Sequence, residues 1–184
     1  MNGKLGTNAG VDETLSAQEV QKLSLFVSLS FQPNEHLVSA ISRLVSDFCE
    51  IGLHDLDISA RFHMAAHEMA ENITKYSTTS RATLEVALVE KASGDVLRVT
   101  TRNQSSPERL EEVDKRLHAL KSTSDPAAFY DQMIEQSAPL EGVSGLGLAR
   151  IRAEGGFDFD YSIKGNELTL IVQAPVPKPP LPSS

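Results

Sequence analysis

Two pairs of short apolar segments, each joined by a turn of only a few residues, constrain the fold of this chain most. In both pairs, apolar side chains alternate with polar ones, which is typical of half-buried β-strands. The turns lie at residues 92–95 and 164–167. Strands joined so closely must run antiparallel. The predicted strands are residues 84–88 and 96–103 in the first pair, and 157–163 and 168–174 in the second.

The remaining periodic segments predict one more strand, at residues 25–31, and several helices. One helix carries apolar side chains from Leu37 to Phe48 and is predicted to stop at Gly52. The order of elements predicts an α+β fold, a two-layer α/β sandwich with a mostly antiparallel sheet and helices on one face. The other predicted helices cover residues 58–77, begin at Pro107 and at Pro126, and run from Gly145 to Gly155.

The length of the chain and its net charge limit the classes of function that it can have. The 184 residues suit one domain, predicted at 23–174, after a mobile segment 1–22 with a short helix and before a Pro-rich disordered tail 175–184. The net charge of −8 argues against nucleic acid or a membrane surface as the partner. No apolar run of about 18 residues and no signal-peptide core are present, so a cytoplasmic protein is expected.

Three polar residues mark the helix predicted at residues 58–77. Glu68, Asn72 and Lys75 fall within an arc of about 60°, beside the apolar side of the helix. The Asn72 carboxamide oxygen suits Mg²⁺, Glu68 could orient or deprotonate a hydroxyl, and Lys75 could meet phosphate charge. The alternative interpretation is a solvated polar face with no chemistry.

A glycine-rich segment, Gly145-Leu146-Gly147-Leu148, opens the last helix. Free backbone N–H groups at a helix N-terminus favour an anion, and glycines let a phosphate approach the backbone closely. The alternative is a helix end packed tightly against the sheet. If the first interpretation is right, this segment and the Glu68–Asn72 face should meet across a cleft.

Together these two segments resemble motifs of the histidine-kinase-like (GHKL) ATPase superfamily. Glu68, Asn72, Lys75 and Tyr76 have the spacing of its N box, and residues 145–148 resemble its glycine box. The resemblance covers roughly residues 24–174 and is greatest to small anti-sigma-factor serine kinases of bacterial partner-switching systems. It implies the Bergerat-type ATPase fold.

The resemblance also implies roles for these residues. Asn72 would be the Mg²⁺ ligand and Glu68 the general base, while Gly145, Leu146, Gly147 and Leu148 would bind the phosphates of ATP. The implied function is a signalling protein that phosphorylates a serine or threonine of a partner protein. The partner would be an anti-sigma-factor-antagonist-like (STAS-like) domain or a sigma factor, and a homodimer is also implied.

One motif of the superfamily is absent. An Asp-x-Gly-x-Gly box, whose Asp binds adenine, normally follows a central strand; here that strand leads into Asn103-Gln104-Ser105-Ser106. Asn103 could contact adenine through its amide. The helical segment 107–137 stands where a short lid is expected. These departures favour an alternative function, a degenerate member that binds proteins without nucleotide.

Overall fold

The computed structural model describes residues 22–91, 93–137 and 146–176. In these ranges five strands form one sheet in the order β1-β2-β3-β5-β4, with all neighbours antiparallel. The strands are β1 (Lys22–Phe31), β2 (Ala82–Glu90), β3 (Val96–Gln104), β4 (Asp158–Lys164) and β5 (Glu167–Pro175). The helices are α1 (Glu35–Leu53), α2 (Leu56–Tyr76), α3 (Pro107–Ser122), α4 (Pro126–Ser137) and α5 (Leu146–Ala153). The predicted α+β sandwich with an antiparallel sheet is confirmed.

One face of the sheet carries the core. Val86 of β2 lies opposite Val99 of β3, which lies opposite Val172 of β5, so the three side chains share a face. All three are completely buried. Helices α1 and α2 contribute Val45, Phe62 and Met69, among others, to the same cluster. The core therefore lies between the helical layer and this face.

Helix α1 ends differently from the prediction. It continues through Gly52 to Leu53, and the left-handed residue that terminates it is His54, with φ of 54°. The prediction that Gly52 stops the helix is wrong. Gly52 instead allows close packing, because a Cβ there would collide with the side chain of Leu25 in β1.

Helix α2 lies in the centre of the helical layer and carries Glu68, Asn72 and Lys75. Asp55 caps its start by accepting a hydrogen bond from the Ile58 backbone N–H at 3.0 Å. Its buried side is rich in small residues, including Ala65, Ala66 and Ala70, so α2 packs closely on the sheet. Glu68 and Asn72 lie at the edge of that buried side.

The connection between α5 and β4 packs against Arg61 and Phe62 of α2. The rings of Phe157 and Phe62 of α2 meet edge to face, with 4.8 Å between ring centroids and 88° between ring planes. Arg61 of α2 donates hydrogen bonds of 2.8 and 2.6 Å to the Gly155 carbonyl. These contacts hold α5 beside α2.

Two further features of the described residues concern the one cysteine of the chain and the character of the helices. Cys49 is completely buried, and burial raises the pKa of its thiol to about 12. None of the described helices combines the length and the apolar character needed to span a membrane.

Candidate functional site

Glu68 of α2 meets the start of α5. A Cβ placed on Gly147 would lie 3.0 Å from the Glu68 Cδ, 3.2 Å from its Cβ, and closer still to Oε2. The glycine is therefore required for this close approach. The Glu68 side chain is only 16% exposed. The structure thus brings together one residue of each predicted motif.

Arg150 of α5 binds the other oxygen of the Glu68 carboxylate. Its Nη1 donates a hydrogen bond to Glu68 Oε1 at 3.3 Å, and its Nε donates to Glu154 Oε2 at 2.7 Å. The bond to Glu154 raises the pKa of Arg150 above its usual value, and Glu68 acts in the same direction. Arg150 therefore remains a permanent positive charge beside Glu68.

Asn72 and Leu148 line one cavity together with Asn103. The cavity lies between α2, α3, α5 and strands β3 and β5, and its volume is about 50 Å³. The Asn72 Nδ2 atom is buried without a hydrogen-bond partner among the described residues. Asn103 is 6% exposed, and its Nδ2 donates only a long hydrogen bond of 3.5 Å to the Gln104 carbonyl. Two carboxamides with spare hydrogen-bonding capacity thus face the same small space.

Helix α3 closes this cavity. Val113, Arg116 and Leu117 line it, and Leu117 is 2% exposed. Pockets for small ligands usually measure about 300–1,000 Å³. The cavity beside Asn72 and Asn103 is far smaller than this and does not hold a nucleoside in this arrangement of α3.

Lys75 lies apart from these residues. Its Nζ is 4.0 Å from Glu71 Oε2. With His67 and Glu35 it lines a separate depression between α2 and α1. Gly145 lies outside the described residues, and Leu146 is the half-buried first residue of α5.

Two contributors to the site were missed in the sequence. Arg150 lies one helical turn after Gly147, and this spacing is the sequence signal that places it beside the glycine segment. Leu117 belongs to an apolar stripe on α3 that also includes Leu110 and Val113. Nothing in the local sequence indicates that this stripe fills the cavity beside Asn72.

The contact between Gly147 and Glu68 gives a testable result. Gly147→Ala is expected to destabilise the fold by about 1–3 kcal/mol, because the added methyl group overpacks against Glu68. Combined with Glu68→Ala, the same change should be neutral or stabilising by up to about 1 kcal/mol, since alanine favours helix more than glycine does. Urea unfolding of the four proteins in this cycle measures the coupling. If Gly147→Ala lowers the free energy of unfolding equally with Glu68 present and with Glu68→Ala, the proposed contact is wrong.

Comparisons with known proteins give a likeness in structure but none in sequence. Neither the known protein families nor the curated proteins include a match to this sequence. The structure is similar to a chain in the crystal structure of the SiaB–SiaC complex from Pseudomonas aeruginosa. The TM-score is 0.65 at 15% identity, over 84% of this chain and 90% of that one. The likeness shows the fold.

Proposed function

We propose that this chain is a signalling regulator of the partner-switching type, which binds another protein and uses Mg-ATP to phosphorylate a serine or threonine of it. The observation that carries the proposal is the meeting of Glu68 and Asn72 of α2 with Gly147 and Leu148 of α5. This is the arrangement that the resemblance to anti-sigma-factor serine kinases requires. The similar solved structure is itself a complex of two proteins, which supports a protein partner.

The residues of the cleft have distinct tasks under this proposal. Asn72 would hold Mg²⁺, and the backbone of Gly147 and Leu148 would hold the phosphates. ATP supplies the γ-phosphoryl group, and Mg²⁺ neutralises negative charge on the phosphates. A carboxylate oxygen of Glu68 would accept the proton of the partner's hydroxyl. Arg150 orients that carboxylate through the 3.3 Å hydrogen bond.

A second candidate function is a protein-binding scaffold that does not use nucleotide. The cavity of about 50 Å³ favours it, since α3 occupies the space that a nucleoside would need. The missing Asp-x-Gly-x-Gly box after β3 favours it as well. Both candidates bind a partner protein and differ in whether ATP binds.

Calorimetric titration with Mg-ATP separates them. The wild-type protein is expected to bind, and Asn72→Ala should weaken binding by about tenfold or more, because the variant loses the proposed Mg²⁺ ligand. Thr74→Ala is the matched control. Thr74 lies on the same helix but lines the depression towards α1, so its loss should leave the affinity unchanged.

The outcomes are distinct. If the wild-type protein does not bind Mg-ATP at millimolar concentration, the kinase function is excluded and the scaffold function is supported. Binding that is equally strong in the Asn72→Ala variant would show that nucleotide does not use this cleft. Circular dichroism of each variant checks that the fold is retained.

A further inference from the structure

Both oxygens of the Glu68 carboxylate are engaged in this structure. Arg150 Nη1 donates a hydrogen bond to Oε1 at 3.3 Å. Oε2 lies against the backbone of Gly147, where a single added methyl group would collide with it. The side chain of Glu68 is only 16% exposed. A hydroxyl group of another molecule therefore meets no open oxygen on the carboxylate that the proposed function uses as its base.

Arg150 is the more exposed member of this pair. Its side chain is 44% exposed, and its 3.3 Å bond to Glu68 is longer than the 2.7 Å bond from its Nε to Glu154. A long, partly exposed ion pair of this kind is weak. Within the described residues, Nη2 donates no hydrogen bond. The guanidinium group can therefore swing about its bond to Glu154 and release Glu68 at little cost.

The guanidinium group of Arg150 lies close to the phosphate end of the cleft, which consists of the backbone of Gly147 and Leu148 and the side chain of Asn72. One carboxyl group, that of Glu68, separates the guanidinium group from Gly147. The buried Asn72 Nδ2 atom, which has no partner among the described residues, is a further donor in the cavity that Leu148 lines. These groups fit phosphate, although α3 closes the nucleoside end of the cleft.

A phosphate at this end places a second anion beside Glu68. Among the residues that the structure describes, Arg150 is the cation that Glu68 pairs with, so both anions compete for one guanidinium group. Phosphate accepts two parallel hydrogen bonds from arginine, and such charge-assisted pairs are stronger than a single long bond. The phosphate is therefore the preferred partner of Arg150.

We propose that Arg150 exchanges Glu68 for the γ-phosphate when ATP binds, and that this exchange opens Glu68 Oε1 to the partner's hydroxyl. Glu68 then accepts a proton only when the group to be transferred is in place. Arg150 is a positioning residue without nucleotide and a phosphate ligand with it. The inference rests on the proposed function and deepens it, because it names the residue that distinguishes ATP from ADP.

Calorimetric titration with Mg-ATP and with Mg-ADP tests the contact to the γ-phosphate. Arg150→Gln should lower the affinity for Mg-ATP by about tenfold and change that for Mg-ADP by less than about twofold, because ADP lacks the phosphate that Arg150 binds. Arg43→Gln is the matched control. It removes the same charge from an exposed position of α1 and should change neither affinity. Circular dichroism checks that each variant is folded.

A double-mutant cycle tests whether Arg150 gives up Glu68. Glu68→Gln should raise the affinity for Mg-ATP in both backgrounds, because it removes a carboxylate that repels phosphate. The gain should be about threefold larger with Arg150 present than with Arg150→Gln, because only there is a hydrogen bond to Glu68 lost on binding. A gain that is equal or smaller with Arg150 present would overturn the exchange.

The titrations also separate this inference from the proposed function. If the wild-type protein binds neither nucleotide, the proposed function and this inference are both wrong. If it binds Mg-ATP with an affinity that Asn72→Ala weakens and Arg150→Gln leaves unchanged, the proposed function stands and only the exchange is wrong.

Discussion

Phe62→Ala is expected to lower the free energy of unfolding by about 3–5 kcal/mol. Phe62 is 1% exposed and forms an edge-to-face pair with Phe157, with 4.8 Å between ring centroids. Its removal leaves a cavity between α2 and the connection from α5 to β4, and it also frees the ring over which Arg61 lies at 5.3 Å. Because this contact holds α5 against α2, the variant should also loosen the approach of Gly147 to Glu68. Urea unfolding followed by circular dichroism measures the effect.

Phe62→Leu provides the comparison for that measurement. Leucine keeps most of the buried volume but loses the edge-to-face ring contact, so a cost of less than about 1.5 kcal/mol is expected. Similar values for both variants would mean that the void is unimportant and that only the aromatic pair stabilises this junction.

Leu117→Ala is expected to change stability and nucleotide affinity in opposite directions. Loss of this buried side chain should cost about 2–5 kcal/mol of unfolding free energy. It also enlarges the cavity beside Asn72 and Asn103, which Leu117 lines. Since the proposed nucleoside site is limited by α3, affinity for Mg-ATP should rise by about tenfold. Calorimetry and urea unfolding on the same sample give both quantities.

Leu120→Ala distinguishes enlargement of the cavity from general loosening of α3. Leu120 is 4% exposed on the same helix but does not line the cavity at Asn72. Its removal should destabilise the protein similarly and leave nucleotide affinity unchanged. If nucleotide affinity rises equally in both variants, the cause is the mobility of α3 and not the size of the cavity. Unchanged affinity in Leu117→Ala would contradict the role of α3 as the element that closes the site.

The strands were predictable because their signals are local. Alternation of apolar and polar residues fixes which side chains face the core, and turns as short as those after β2 and β4 leave only an antiparallel pairing. The end of α1 shows the limit of such signals. Glycine commonly ends helices, but Gly52 is needed for its small size against Leu25, a contact between segments distant in the chain.

The candidate site was predictable in part for the same reason. Helical spacing alone places Glu68 and Asn72 near each other, and the glycines mark where a backbone can be approached closely. Lys75 shows where spacing is insufficient. It shares the arc of Glu68 and Asn72, yet its ammonium group lies near Glu71, on the side of α2 that faces α1. A long side chain follows its neighbours and solvent more than the direction of its Cα–Cβ bond.

The sequence by itself determined the order and type of the elements, the antiparallel sheet and the two motifs. The tertiary structure alone decided how these motifs meet: Arg150 is bound to Glu68 across 82 residues of chain, and α3 leaves about 50 Å³ beside Asn72. The physical reason is that periodicity and turn chemistry act between neighbouring residues. The volume of a cleft depends instead on side chains that distant helices bring together, and their packing is a property of the whole core.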